Sequence, residues 1–294
     1  MGIQYPDDFM FSIFEVCAEI YKGKKRTEYI MLSSGANYLP MTDEWKELCI
    51  LEIKHDFMIN WYTSPQGFPC LNSFNKMYVD FLATKGELGK RTSLLTCITG
   101  GGSQAAAIAL SFTASKKIES GRVLSIGPNY SLYERLARKY SFEYIECLGE
   151  HNFMPTFEEA YSNISSNNYD LIILTIPNNP TGEEYEEEKI RELVRLTKKR
   201  NTFMLIDIVP QLYITHHPII NVEAIVYEED ATNYIIIVNS YSKTEGVPGF
   251  RAGYLCGCKE LIDYATDYQM NDLMNPATFP VFPIIFTFIY RLLY

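Results

Sequence analysis

At 294 residues, the chain is long enough to bury a large core in one domain with a smaller appendage. Nearly half of its residues are apolar, which excludes a disordered chain. The net charge of −10 argues against a nucleic-acid-binding or anionic-membrane surface. The seven cysteines follow no metal-ligand spacing, and Cys256 and Cys258 form the only close pair. An odd count without a framework predicts reduced thiols in a reducing, cytoplasmic compartment. Asp7 and Asp8 precede any apolar run and no basic leader is present, so no secretory signal is expected.

The elements are predicted in chain order from residue 94. Segment 94–99 reads as a strand, 102–117 as an alanine-rich helix, 122–126 as a strand, 131–140 as a helix and 142–147 as a strand. Strand 171–176, helix 186–200, strand 203–207 and strand 234–239 follow. The acidic runs Glu183-Glu184 and Glu186-Glu187-Glu188 suit a solvated helix start, where negative charge meets the positive end of the helix dipole. The strands are nearly continuous apolar runs, as in sheets covered by helices on both faces. An α/β domain with a mostly parallel sheet sandwiched by helices follows. The apolar stretch 279–294 is interrupted by Pro280, Pro283 and Arg291 and is shorter than the roughly 18 residues of a membrane span. It is expected to pack against more protein.

In such sheets ligands gather at the carboxyl ends of the strands. Five predicted strands end in polar or glycine-rich segments: Gly100-Gly101-Gly102-Ser103, Pro128-Asn129-Tyr130, Pro177 through Gly182, Asp207, and Ser240 through Lys243. The last carries a lysine among small hydroxyl residues, followed eight positions later by Arg251 within Gly249-Phe250-Arg251-Ala252-Gly253. A lysine there suits a Schiff base with an aldehyde cofactor once burial depresses its pKa. The arginine offers a planar fork of donors to a phosphate. Glycines opening a helix let backbone amides approach an anion.

Together these ordered motifs resemble the pyridoxal-phosphate enzymes of fold type I, specifically the class I/II aminotransferases, over residues 35–254. The resemblance implies pyridoxal 5'-phosphate as cofactor and Lys243 as the catalytic lysine that binds it. It implies Arg251 and Ser240 at the phosphate, with Gly102, Ser103 and Gln104 beside them. Asp207 would pair with the pyridine nitrogen, Asn179 would donate to the ring oxygen, and Tyr130 would stack on the ring. Tyr62 resembles the tyrosine that reaches the phosphate of a neighbouring subunit, which implies a homodimer with a shared active site. Gly35 and Asn37, with Asn179, match positions beside the substrate. The corresponding division is an N-terminal segment 1–45 contributing to a small domain, a large cofactor-binding domain 46–270, and the start of an incomplete C-terminal small domain in 271–294.

Two departures accompany the resemblance. Pro210 stands where relatives carry a tyrosine that bonds the ring oxygen; Tyr213 is the alternative donor nearby. No arginine matches the one that holds the substrate carboxylate, and Arg291 lies in no recognisable motif. Amino-group transfer from an amino acid to a 2-oxo acid is the leading expectation. Decarboxylation, elimination, cyclisation, oxidation and an inactive cofactor-binding homologue remain open at this point.

Overall fold

The computed structural model describes residues 41–54, 62–117, 121–150, 153–211, 218–272, 276 and 281–293, all within the compact unit 36–294. Gly35, Asn37 and Tyr213 lie outside the described residues. Among the described residues, no helix is long and apolar enough to cross a membrane, and six cysteines are free thiols.

Among the described residues, seven strands form one sheet. They are β1 (Leu95–Thr99), β2 (Gly121–Ile126), β3 (Phe142–Cys147), β4 (Leu171–Thr175), β5 (Phe203–Asp207), β6 (Ile235–Ser240) and β7 (Gly253–Gly257). Their order is β1-β7-β6-β5-β4-β2-β3. Neighbours run parallel except at β7, which is antiparallel to both β1 and β6. The described helices are α1 (Asp43–Lys54), α2 (Pro69–Ala83), α3 (Gly102–Ser115), α4 (Leu132–Lys139), α5 (Phe157–Ser166) and α6 (Glu187–Arg200). α7 (Val222–Glu228), the single turn α8 (Tyr241–Thr244), α9 (Lys259–Asp272) and α10 (Phe282–Leu293) follow.

The period of two along each strand divides the core. Leu171, Ile173 and Leu205 face one cluster with α3, α4 and α9, while Ile172, Leu174 and Ile206 face the other with α2, α6, α7 and α10. Alanines at 105, 106 and 109 let α3 lie close on the sheet, and all three are buried. α6 carries Glu187 and Glu188 in its first turn and Lys198, Lys199 and Arg200 in its last, so its charges follow the helix dipole. It stops where Asn201 adopts a left-handed conformation (φ 53°).

The strands and helices expected from the sequence are present with ends displaced by a residue or two. One expectation changes in degree: β3, at the end of the sheet order, buries Phe142 in one cluster and Cys147 in the other but leaves Glu143 and Glu146 exposed. The apolar C-terminal stretch packs on this chain, since α10 buries Ile284 and Phe288 in the cluster shared with α2. Both carboxylate oxygens of the buried Glu52 on α1 accept from Val281 N at 3.0–3.1 Å, and Phe282 N also donates to one of them, which satisfies free amides at the start of α10.

Glu223, in the first turn of α7, is 2 % exposed, and its Oε1 has no hydrogen-bond partner among the described residues. Burial pushes its carboxyl up from 4.5 to about 7. A raised carboxyl pKa means that the folded chain holds a proton that the unfolded chain releases, so stability falls as pH rises from about 4.5 to about 7. Urea unfolding of wild type should lose about 3 kcal/mol across that interval from this group. Glu223→Gln should lack that slope.

Candidate functional site

The carboxyl edge of the sheet gathers most of the residues singled out by the sequence. Register sets Asp207 at the end of β5 beside Thr175 of β4 and Val238 of β6, and Val238 lies two residues before Ser240. Because β7 runs antiparallel, its first residue, Gly253, pairs with both Ser240 and Thr99. Arg251 therefore arrives at the same edge as the glycine turn after β1.

That turn is built by close backbone packing. A Cβ on Gly253 would stand 2.7 Å from Asn239 O and 2.8 Å from the carbonyl carbon of Gly101, so only glycine fits. Gly101 (φ 98°) leads into α3, and a Cβ there would meet Arg251 Nη2 at 2.7 Å. Arg251 itself sits in the left-handed region (φ 53°), uncommon for a side chain this size. Its guanidinium donates through Nη1 to Pro248 O at 2.9 Å and through Nη2 to Gly100 O at 3.1 Å, tying its own loop to the glycine turn.

The start of α3 has no side-chain cap. Ser103 is exposed in its first turn, while Gln104 folds back so that Oε1 accepts from Gly100 N at 2.6 Å. Gln104 Nε2 is buried without a partner among the described residues. Ser240 opens the single turn α8: its Oγ accepts from Ser242 N at 3.1 Å and lies 2.9 Å from Ser242 Oγ. Ser240 Cβ is also 3.4 Å from the position a Cβ would take on Gly102. Guanidinium, hydroxyl and uncapped helix amides thus converge, and they are the donor set that a phosphate requires.

Lys243 is half-buried on α8, and burial lowers its ammonium pKa. Asp207 is buried. Its Oδ2 accepts from Tyr133 Oη at 2.7 Å and its Oδ1 from Val209 N at 2.9 Å. Burial raises the Asp207 carboxyl pKa, and these two donors pull it back. The Tyr133 phenol is raised well above its usual value by burial and by the Asp207 charge, so it remains a donor. Among the described residues Asp207 has no cationic partner, a fit for a protonated ring nitrogen. Pro210 lies in the turn after β5.

The turns after β2 and β4 are tied together. Asn129 Oδ1 accepts from Thr175 Oγ1 at 2.9 Å and from Tyr130 N at 2.9 Å, and Asn129 Nδ2 donates to Ser125 Oγ. Asn178 Nδ2 donates to Pro128 O, while its Oδ1 accepts from Thr181. Asn178 is buried; Asn179 beside it and Tyr130 are exposed. Tyr62 is 83 % exposed, ahead of a turn docked to β1 through Ile98 N and Gln66 O at 3.1 Å.

Four residues at this edge escaped the sequence reading. Tyr133 was legible only as the buried face of an amphipathic helix, since spacing does not reveal where a hydroxyl ends. Asn129 and Asn178 stood inside recognised motifs, yet which asparagine of a pair turns inward depends on the turn. Gly253 belonged to the arginine motif without a stated reason, and the antiparallel course of β7 supplies one.

The class of protein now follows. The profile described as Aminotransferase class I and II matches residues 27–280. The chain belongs to this family, whose members depend on pyridoxal phosphate. The chain is 28 % identical over 223 residues to the histidinol-phosphate aminotransferase of Flavobacterium psychrophilum, covering 74 % of this chain and 58 % of that protein. It is 31 % identical over 136 residues to the LL-diaminopimelate aminotransferase of Parabacteroides distasonis, covering 45 % and 31 % respectively. It is 26 % identical over 139 residues to the aspartate aminotransferase of a Bacillus species, covering 46 % and 34 %. The chain thus spans about a third of the length of the first curated relatives it matches. A double mutant of the Thermus thermophilus aspartate aminotransferase shares the fold, with a TM-score of 0.77 at 20 % identity, covering 99 % of this chain and 72 % of that one.

Two outcomes are expected here. Tyr133→Phe should raise the Asp207 pKa further, read by carboxyl-carbon NMR titration, and destabilise the fold by about 1–3 kcal/mol. Gly253→Ala should cost about 1–3 kcal/mol or more in urea unfolding, because both neighbours of the new Cβ are backbone.

Proposed function

We propose that this chain is a pyridoxal-phosphate-dependent aminotransferase, moving an amino group from an amino acid to a 2-oxo acid. The observation that carries the reading is the placement of Lys243, Asp207, Ser240, Arg251 and the Gly101–Gly102 turn on one edge of one sheet. Bound there, pyridoxal phosphate supplies an aldehyde for the amine and a ring that withdraws electrons from the carbon bearing it.

Arg251, Ser240 and the first amides of α3, at Gly102, Ser103 and Gln104, hold the phosphate. Lys243 anchors the cofactor, and its Nζ, with a depressed pKa, is the base that takes the Cα proton of the bound amino acid. Asp207, oriented by Tyr133 and Val209, keeps the ring nitrogen protonated. A charge pair near 3 Å at an effective dielectric of 20 is worth roughly 5 kcal/mol before desolvation. Tyr130 would offer an aromatic face and Asn179 an amide donor to the cofactor ring, where Pro210 has no side-chain donor to give. By the family resemblance, Gly35, Asn37 and Asn179 are assigned to substrate binding. By the same resemblance, 46–270 is assigned to the cofactor and 1–45 and 271–294 to a small domain. Exposed Tyr62 reaches the phosphate of a second copy in a homodimer, and the chain works in the cytoplasm.

Incubation with pyridoxal phosphate and borohydride, then peptide mapping, should fix a pyridoxyl group on Lys243. Lys243→Ala should lose both that label and all conversion of 2-oxoglutarate or pyruvate to its amino acid. Arg251→Ala should weaken cofactor binding by about ten- to a hundredfold, from about 1.5–3 kcal/mol for hydrogen bonds to a charged group. Release of CO2 or ammonia without formation of the new amino acid would replace transamination with a different reaction.

A further inference from the structure

α10 grips both flanks of the lysine turn. Phe288 and Arg291 are three residues apart, on one face of the helix. The Phe288 ring lies 5.7 Å, centroid to centroid, from Tyr241, two residues before Lys243. Arg291 forms an ion pair with Glu245, two residues after Lys243. The Glu245 side chain is 4 % exposed, and its other oxygen accepts from Thr244 Oγ1. Tyr78 of α2 completes the grip: its ring is 5.2 Å from that of Phe288 and 6.0 Å from the Arg291 guanidinium carbon. Along a helical turn, positions two residues apart point to opposite sides. Tyr241 and Glu245 therefore mark the back of the turn, and Lys243 its front.

We propose that Arg291, with Phe288 beside it, is a positioning residue for Lys243: α10 buttresses the back of α8 and fixes the direction in which the lysine reaches the cofactor. Neither residue touches the reacting atoms. The inference rests on the proposed cofactor role of Lys243. A buried ion pair is a costly way to hold a helix, and apolar packing of the same shape does as well for stability alone. Its position beside the lysine turn gives the pair a task that packing elsewhere on α10 would not perform.

The test uses the full chain and pyridoxal phosphate as the probe, with three readouts: cofactor dissociation constant, pH midpoint of the bound cofactor's absorbance change, and thermal midpoint without cofactor. Arg291→Met should weaken the cofactor by about tenfold or more and move the pH midpoint by about half a unit or more, with Arg291→Lys recovering most of both. A variant that lowers only the thermal midpoint, leaving dissociation constant and pH midpoint as in wild type, overturns the proposal. Should Arg291→Met fail to fold, the double variant Glu245→Gln with Arg291→Met, which leaves no lone buried charge, is read in the same way. In wild type, hydrogen exchange should slow on cofactor addition both at 241–246 and in the last turn of α10; unchanged exchange in α10 likewise overturns it. Wild type that takes no borohydride-fixed label at Lys243 sinks the cofactor reading itself, a result separate from normal loading with indifferent variants.

Discussion

The packing of Gly253 against Gly101 and Asn239 is the constraint on which the carboxyl edge depends. Because no side chain separates these backbones, β7 can enter antiparallel between β1 and β6. Its entry delivers Arg251 to a turn that belongs to a strand more than a hundred residues earlier. The glycine turn, the serine of β6 and the arginine are then neighbours by register, before any ligand is considered. Backbone geometry suits this corner to an anion as much as charge does, for the chain as a whole is acidic.

Beside this cationic corner sits a buried carboxylate. Asp207 at the end of β5 would be costly alone, and Tyr133 and Val209 offset part of that cost with two hydrogen bonds. Tyr133 comes from α4, after β2, so the depth and orientation of the acid are set by an element on the opposite side of β4. The network through Asn129 and Thr175 fixes the same β2–β4 junction. The edge is therefore a set of cross-braced turns, each held by the neighbour of the strand it follows.

Much of this was legible in the sequence because the signals were local. Nearly continuous apolar runs gave the strands, an alanine-rich run gave α3, and strand ends announced themselves through glycine, proline and hydroxyl residues. What stayed hidden was of two kinds. Short helices such as α5 carried a readable start, the Thr156–Glu159 capping box, but no long apolar pattern to draw attention to it. The contacts of Tyr133, Asn178 and Arg291 depend on which elements the fold brings together, and no spacing along the chain encodes that. Arg291 looked contextless because its partner, Glu245, lies 46 residues earlier in the chain.

The far edge of the sheet has a consequence of its own. Among the described residues β3 pairs with β2 on one side only, so it is an edge strand whose outer side carries backbone donors and acceptors. Glu143 and Glu146 fall on opposite faces of this strand. A second β3 aligned alongside would bring like carboxylates together on whichever face it matched. The molecule thereby discourages cross-molecular strand addition, the first step toward fibrous aggregation, with two side chains that contribute nothing to its core.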